Sequence, residues 1–201
     1  MSLNLIITGV GGQGNVLASQ IIGRAAVDRD FNVTIGETFG LSQRGGAVMS
    51  HIRISRERNY APLIPPNMAH IILGLEPLET IRILSEFGNE ETIFIVNSRP
   101  IQPLNVIAGD VEYPATGKIR SVINDLGGRL FWLDATPLAM ELGGPMFLNM
   151  VMLGSLCSLG DFPLGVDDIR NSLKHIFPET KLASNYEALE IGAEMILKYE
   201  D

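Results

Sequence analysis

Short apolar runs alternate along this chain with longer stretches in which apolar positions recur at helical spacing. That pattern predicts strands and helices packed in layers. Leu3 to Thr8 (LNLIIT) reads as a buried first strand, and Asn15 to Arg29 reads as a helix with Val16, Leu17, Ile21 and Ala25 near helical spacing. Asn32 to Glu37 is a second strand, and Ala47 to Ser55 alternates, with Val48, Ile52 and Ile54 on one face and His51 and Arg53 on the other. The connection Thr38 to Gly46 is too short for a crossover helix, so the third strand is predicted antiparallel to the second. Ser55 to Asn59 reads as a turn into another short strand, Tyr60 to Ile64.

Past Pro65-Pro66, strands are predicted at His70 to Leu75, Thr92 to Asn97 and Arg129 to Leu133. Helices are predicted from Pro77 to near Gly88, from Thr116 to Leu126, and after a capping Asp134. From Pro145 the chain reads as helical throughout. The stretch Met146 to Gly160 is apolar on nearly every side, which places it either in the core or under another subunit. Met146, Met150 and Met152 read as fillers of packing gaps.

Composition narrows the classes. With 201 residues the chain suits a single domain with a substantial core, and a net charge of -8 argues against nucleic acid, which needs a basic stripe. One cysteine, Cys157, cannot build a disulfide, a thiolate zinc site or an iron–sulfur cluster, which takes about four thiolates. No stretch reads as a membrane span or signal, so a soluble cytoplasmic protein is expected. A mean hydropathy of +0.21 is high for an acidic chain and points to a surface covered by a partner.

Two loops concentrate the candidate chemistry. Gly9-Val-Gly11-Gly12-Gln13-Gly14 lies between a strand and a helix, where glycines permit a tight turn and the helix N-terminus offers N–H groups to an anion. The same pattern also serves as a packing turn that binds nothing. Glu37 follows at the distance of a ribose-binding acid. The second loop, from Glu37 through Ser42-Gln43-Arg44-Gly45-Gly46, falls at the same sheet edge and offers a hydroxyl, an amide, a guanidinium and free backbone N–H groups. Its plainer reading is an Arg44–Glu37 pair that orders the loop.

Together, GVGGQG and ETFGLSQRGGAVMSHIRIS resemble the gamma-type component of the 2-oxoacid:ferredoxin oxidoreductases, and the SQRGG loop most resembles the small (beta) subunit of the indolepyruvate type. Further matches are Pro62-Leu63-Ile64, Gly74-Leu75-Glu76-Pro77-Leu78-Glu79, Asp134-Ala135, Asn149 with Leu153-Gly154, and Asn185 with Ala188 and Gly192; Pro100 to Pro114 carries little family signal. The resemblance implies one gamma-type domain over 1–201, with a mixed, mostly parallel Rossmann-like α/β sheet, flanking helices and a helical C-terminal part. It implies a noncatalytic component of an oxidoreductase that decarboxylates 2-oxoacids to acyl-coenzyme A. A larger subunit would hold thiamine diphosphate and 4Fe-4S clusters, and ferredoxin would accept the electrons. No cofactor is expected on this chain alone, and an isolated chain could pair with a second copy through its exposed partner surface. Gly9, Gly11, Gly12, Gln13, Gly14, Glu37, Ser42, Gln43, Arg44, Gly45 and Gly46 are the residues expected to approach a cofactor. The pyruvate and 2-oxoglutarate types, an independent NAD- or FAD-binding protein, and a pure interaction module are the alternatives.

The remaining chemistry-bearing residues have structural readings. Glu76 before Pro77 is placed either to contact a cofactor or, the favoured reading, to complement a helix dipole. His51 and Arg53 are expected on a solvated sheet face, with contact to a partner or a phosphate as the alternative, and His70 and His175 lack ligand spacing. Cys157 in its apolar run reads as buried and inert. Asn185 suits an interface or a backbone cap.

Overall fold

The computed structural model describes residues 2–40, 46–102, 104–110, 112–126 and 128–200. A six-stranded sheet is built from β1 (Ser2–Val10), β2 (Asn32–Phe39), β3 (Ala47–Ser55), β4 (Ile71–Gly74), β5 (Ile93–Asn97) and β6 (Leu130–Leu133), in the order β2-β3-β1-β4-β5-β6. β1, β4, β5 and β6 run parallel, while β3 is antiparallel to both β1 and β2. The short return after β2 therefore does what its length dictates: it makes a hairpin, and that hairpin inserts β3 between β2 and β1.

Strand periodicity divides the core. Leu5 and Ile7 face a layer made by α1 (Asn15–Asp28), α5 (Ala135–Glu141), α6 (Leu148–Cys157), α7 (Val166–Leu173) and α8 (Glu179–Glu200). Ile6 faces the opposite layer, made by α2 (Pro77–Phe87) and α4 (Thr116–Asp125). All ten residues of α6 are buried, so its largely apolar sequence is explained within this chain. Its backbone meets that of α8 directly. A Cβ at Gly154 would collide with the Leu189 carbonyl, and one at Gly192 with that of Val151.

Several expectations need correction. Tyr60 to Ile64 forms no strand. Both edges of β3 are already paired, so that segment covers a sheet face instead of extending the ladder. Its Ile64 N–H donates to His51 Nδ1 at 3.3 Å, and Arg53 donates to the Ala61 carbonyl at 3.2 Å. His51 is consequently buried rather than solvated, and its ring lies edge-on to Phe87 at 5.2 Å between centroids. A short helix, α3 (Leu104–Ile107), occupies the connection after β5. Asp134 sits at the N-cap position of α5 without a capping hydrogen bond from its side chain. Met150 and Met152 fill the core, but Met146 is 73% exposed. No helix among the described residues is long and apolar enough to cross a membrane.

Candidate functional site

The carboxyl ends of β1, β4, β5 and β6 share one edge of the sheet, and the chain leaves β1 there through the glycine turn. Gly12 (φ 100°) and Gly14 (φ 85°) take backbone conformations that side chains resist. Gly14 is the N-cap of α1 and offers no capping side chain, so the first N–H groups of the helix lack the usual partner. A Cβ at Gly14 would strike the amide of Asn149, whereas nothing stands within 4 Å of one at Gly12. The turn is therefore closed by α6 on one side and open above Gly12.

Gln13 holds this shape from within. Its Oε1 accepts from Val10 N–H at 2.7 Å and its Nε2 donates to the Leu75 carbonyl at 2.9 Å. The side chain ties the turn to the end of β4. Asn149 Nδ2 approaches the Gly14 carbonyl at 3.4 Å, while Asn15 Nδ2 donates to the Val48 carbonyl at 3.2 Å. Both asparagines leave a buried Oδ1 without a partner.

The second loop meets the first. Gly40 N–H donates to the Ala47 carbonyl at 2.8 Å, and Gly11 N–H donates to the Gly46 carbonyl at 2.9 Å. Ser42, Gln43, Arg44 and Gly45 lie outside the described residues, but the flanks of their loop are fixed beside the glycine turn. Glu37 is not at this junction. It pairs in register with Ser50, which belongs to β3 and stands opposite Ile7, so two strand spacings of about 4.8 Å separate Glu37 from β1. Its carboxylate accepts from Ser19 Oγ at 2.7 Å and Ser50 Oγ at 2.6 Å.

A cavity of about 550 Å³ opens over the turn. Its walls include Gly11, Gly12 and Gln13, then Asn97 and Arg99 at the end of β5, Thr136 on α5, and Met146. Asn97 and Thr136 exchange hydrogen bonds, and Asn97 Nδ2 also donates to the Leu75 carbonyl at 3.2 Å. Sequence reasoning missed Asn97, Arg99 and Thr136. The available signal was their position at, or within three residues of, the carboxyl ends of β5 and β6.

Glu76 is buried at the N-cap of α2, and its Oε2 accepts from Glu79 N–H at 2.8 Å, the dipole-complementing geometry expected of it. Its Oε1 accepts from Ile101 N–H at 3.2 Å and Tyr113 OH at 2.5 Å. Burial and the neighbouring Glu76 carboxylate push the Tyr113 phenol well above its ordinary range. Burial also raises Glu79, against the opposing pull of Arg82, which donates to its Oε1 at 2.9 Å. Cys157 is buried, and desolvation drives its thiol far up, so it is inert. No group of three or more metal-ligating side chains occurs among the described residues.

The chain is similar to the indolepyruvate oxidoreductase subunit IorB of Thermococcus kodakarensis, 35% identical over 190 residues that cover 94% of this chain and 93% of the relative. It is 26% identical to the pyruvate synthase subunit PorC of Methanothermobacter thermautotrophicus, across 94% of this chain and 93% of that one. In fold it resembles the keto/oxoacid ferredoxin oxidoreductase gamma subunit from Geobacter sulfurreducens, with a TM-score of 0.72, 19% identity, and coverage of 98% of this chain and 99% of the other. The family model for pyruvate ferredoxin/flavodoxin oxidoreductase matches residues 4–195. By that match, and by identity with its relatives along nearly the whole length, the chain belongs to the pyruvate ferredoxin/flavodoxin oxidoreductase family.

Proposed function

We propose that this chain is the small, noncatalytic subunit of an indolepyruvate-type, aryl 2-oxoacid:ferredoxin oxidoreductase. The observation that carries the type is the higher identity to the indolepyruvate subunit, 35% against 26% for the pyruvate synthase subunit over comparable lengths. The complex decarboxylates a 2-oxoacid oxidatively to an acyl-coenzyme A and passes electrons to ferredoxin. The 4Fe-4S clusters belong to the larger subunit, because a cluster takes about four thiolates and this chain has a single cysteine, and the family resemblance places thiamine diphosphate there as well.

The role of this chain is to shape one wall of the cofactor cleft. The open face of Gly12, the uncapped start of α1 and the SQRGG loop provide N–H donors and a guanidinium, which suit a phosphate-bearing cofactor such as coenzyme A or thiamine diphosphate. Phe39, Ile101 and Met146, exposed by 65, 39 and 73%, lie at the same edge, and we assign this surface to the larger subunit. Left uncovered, it favours pairing of the isolated chain with itself, and the isolated chain is inactive.

The test is coexpression with the larger subunit and turnover on indolepyruvate, pyruvate and 2-oxoglutarate with ferredoxin as acceptor. The assembled complex is expected to prefer indolepyruvate, and Arg44→Ala to lower turnover without unfolding the subunit. Faster turnover of pyruvate would overturn the assigned type. Unchanged kinetics in the assembled Arg44→Ala complex would remove the loop from the site.

A further inference from the structure

Around the cavity above Gly12, charge is distributed against the trend of the whole molecule. The chain carries a net charge of -8, yet among the described residues the cavity walls include one guanidinium, that of Arg99, and no carboxylate. Arg99 is exposed, and no hydrogen bond or ion pair engages it among the described residues. Three acids at the starts of the neighbouring helices α2 and α5 are engaged elsewhere. Glu76 accepts from Glu79, Ile101 and Tyr113, Glu79 pairs with Arg82, and Asp134 accepts from Ser98 at 3.4 Å.

The segment carrying Arg99 is fastened at three points. Ser98 N–H donates to the Leu133 carbonyl at 2.7 Å, just before Arg99. Ile101 N–H donates to Glu76, just after it. Tyr113 OH reaches the same Glu76 oxygen from the far end of the connection. A long, flexible cation is thus mounted on a short length of held backbone, in the same cavity wall as the open face of Gly12. Such mounting lowers the entropic cost of closing the guanidinium on a ligand.

We infer that Arg99 is an anion-binding side chain of this cavity, taking the phosphate or carboxylate oxygens of its ligand, and that Tyr113 and Glu76 are positioning residues for it. Planar, two-pronged donation by a guanidinium suits either oxyanion. The inference deepens the proposed role of the sheet edge and rests on that reading for the origin of the ligand.

The test is calorimetric titration of the full chain with inorganic pyrophosphate and, separately, with phenylpyruvate. Saturable binding of one of them identifies the oxyanion as phosphate or carboxylate. Arg99→Ala is expected to weaken that binding about tenfold or more, and Arg99→Lys to recover part of it. Tyr113→Phe, which leaves the guanidinium in place, is expected to weaken binding less than Arg99→Ala while circular dichroism stays unchanged. Absence of binding to either probe, or equal affinity of the Arg99→Ala chain, would overturn the inference. Because the titration needs neither partner nor turnover, its failure is distinguishable from a failure of the oxidoreductase reading, which the coexpression experiment decides.

Discussion

The Ser155 hydroxyl donates to the Gly192 carbonyl at 2.8 Å, and this bond fastens α6 to α8 at the point where their backbones touch. Gly154 and Gly192 are glycines because each abuts a carbonyl of the facing helix, Leu189 and Val151 respectively. Gly192→Ala is expected to destabilise the fold by about 1–3 kcal/mol through overpacking. Ser155→Ala should cost about 1 kcal/mol by leaving the crossing without its hydrogen bond. Because the two residues share one contact, the double variant should lose less than the sum, which urea unfolding of the three variants will show.

Gln13 supports a second prediction. Its amide both accepts from Val10 and donates to Leu75, so only a side chain with both functions holds the turn. Gln13→Ala removes two bonds at a cost of about 1–3 kcal/mol. Gln13→Glu should be worse than Gln13→Met, because a carboxylate oxygen would face the Leu75 carbonyl. Equal thermal midpoints for the Glu and Met variants would show that the clamp is not what sets the turn.

The sequence made the layered architecture legible because strand and helix periodicities are separately encoded. LNLIIT buries alternate residues in the two layers, and Pro77 and Gly88 bracket α2 as their backbone preferences require. What sequence spacing cannot encode is which strand lies beside which. Glu37 stands at the right distance from Gly14 along the chain for a ribose-binding acid, but the insertion of β3 carries it away from β1. His51 looked solvated because alternation names a face without naming what covers it, and the covering segment 60–64 is irregular. The junction of Glu76 with Tyr113 was equally hidden, since 37 residues separate the partners. The glycine turn was visible because its backbone conformations demand particular residues locally.

The surroundings of Glu37 give a third prediction. Two hydroxyl donors already occupy its carboxylate, so the acid joins β2 to α1 and β3 instead of awaiting a ribose. The isolated chain is expected to show no tight binding of NAD(H) or FAD by calorimetry. Glu37→Ala should instead lower stability by about 1.5–3 kcal/mol, the range for hydrogen bonds to a charged group. Tight dinucleotide binding that is lost in Glu37→Ala, with stability unchanged, would reverse this assignment.

A fourth prediction concerns acid stability. Burial lowers the pKa of His51 from its ordinary 6.5 against the pull of Glu86 and Glu37, and lowers that of His70 against Glu91, with Arg53 acting alongside burial. Each imidazole therefore binds a proton more readily in the unfolded chain than in the fold. Above 6.5 both states hold it neutral and the stability is fully present; as pH falls below that value the unfolded state is protonated first, and stability declines until the folded value is reached. Glu79 acts in the opposite sense at lower pH, because its carboxyl is raised above 4.5 and the fold takes up that proton first. The urea midpoint is expected to fall as pH is lowered from about 7 to about 5.5, where histidines titrate and ordinary carboxylates scarcely do. His51→Gln, which retains an acceptor for Ile64 N–H, should flatten that slope. A midpoint that rises on acidification through this window would mean that the imidazoles gain, rather than lose, proton affinity on folding.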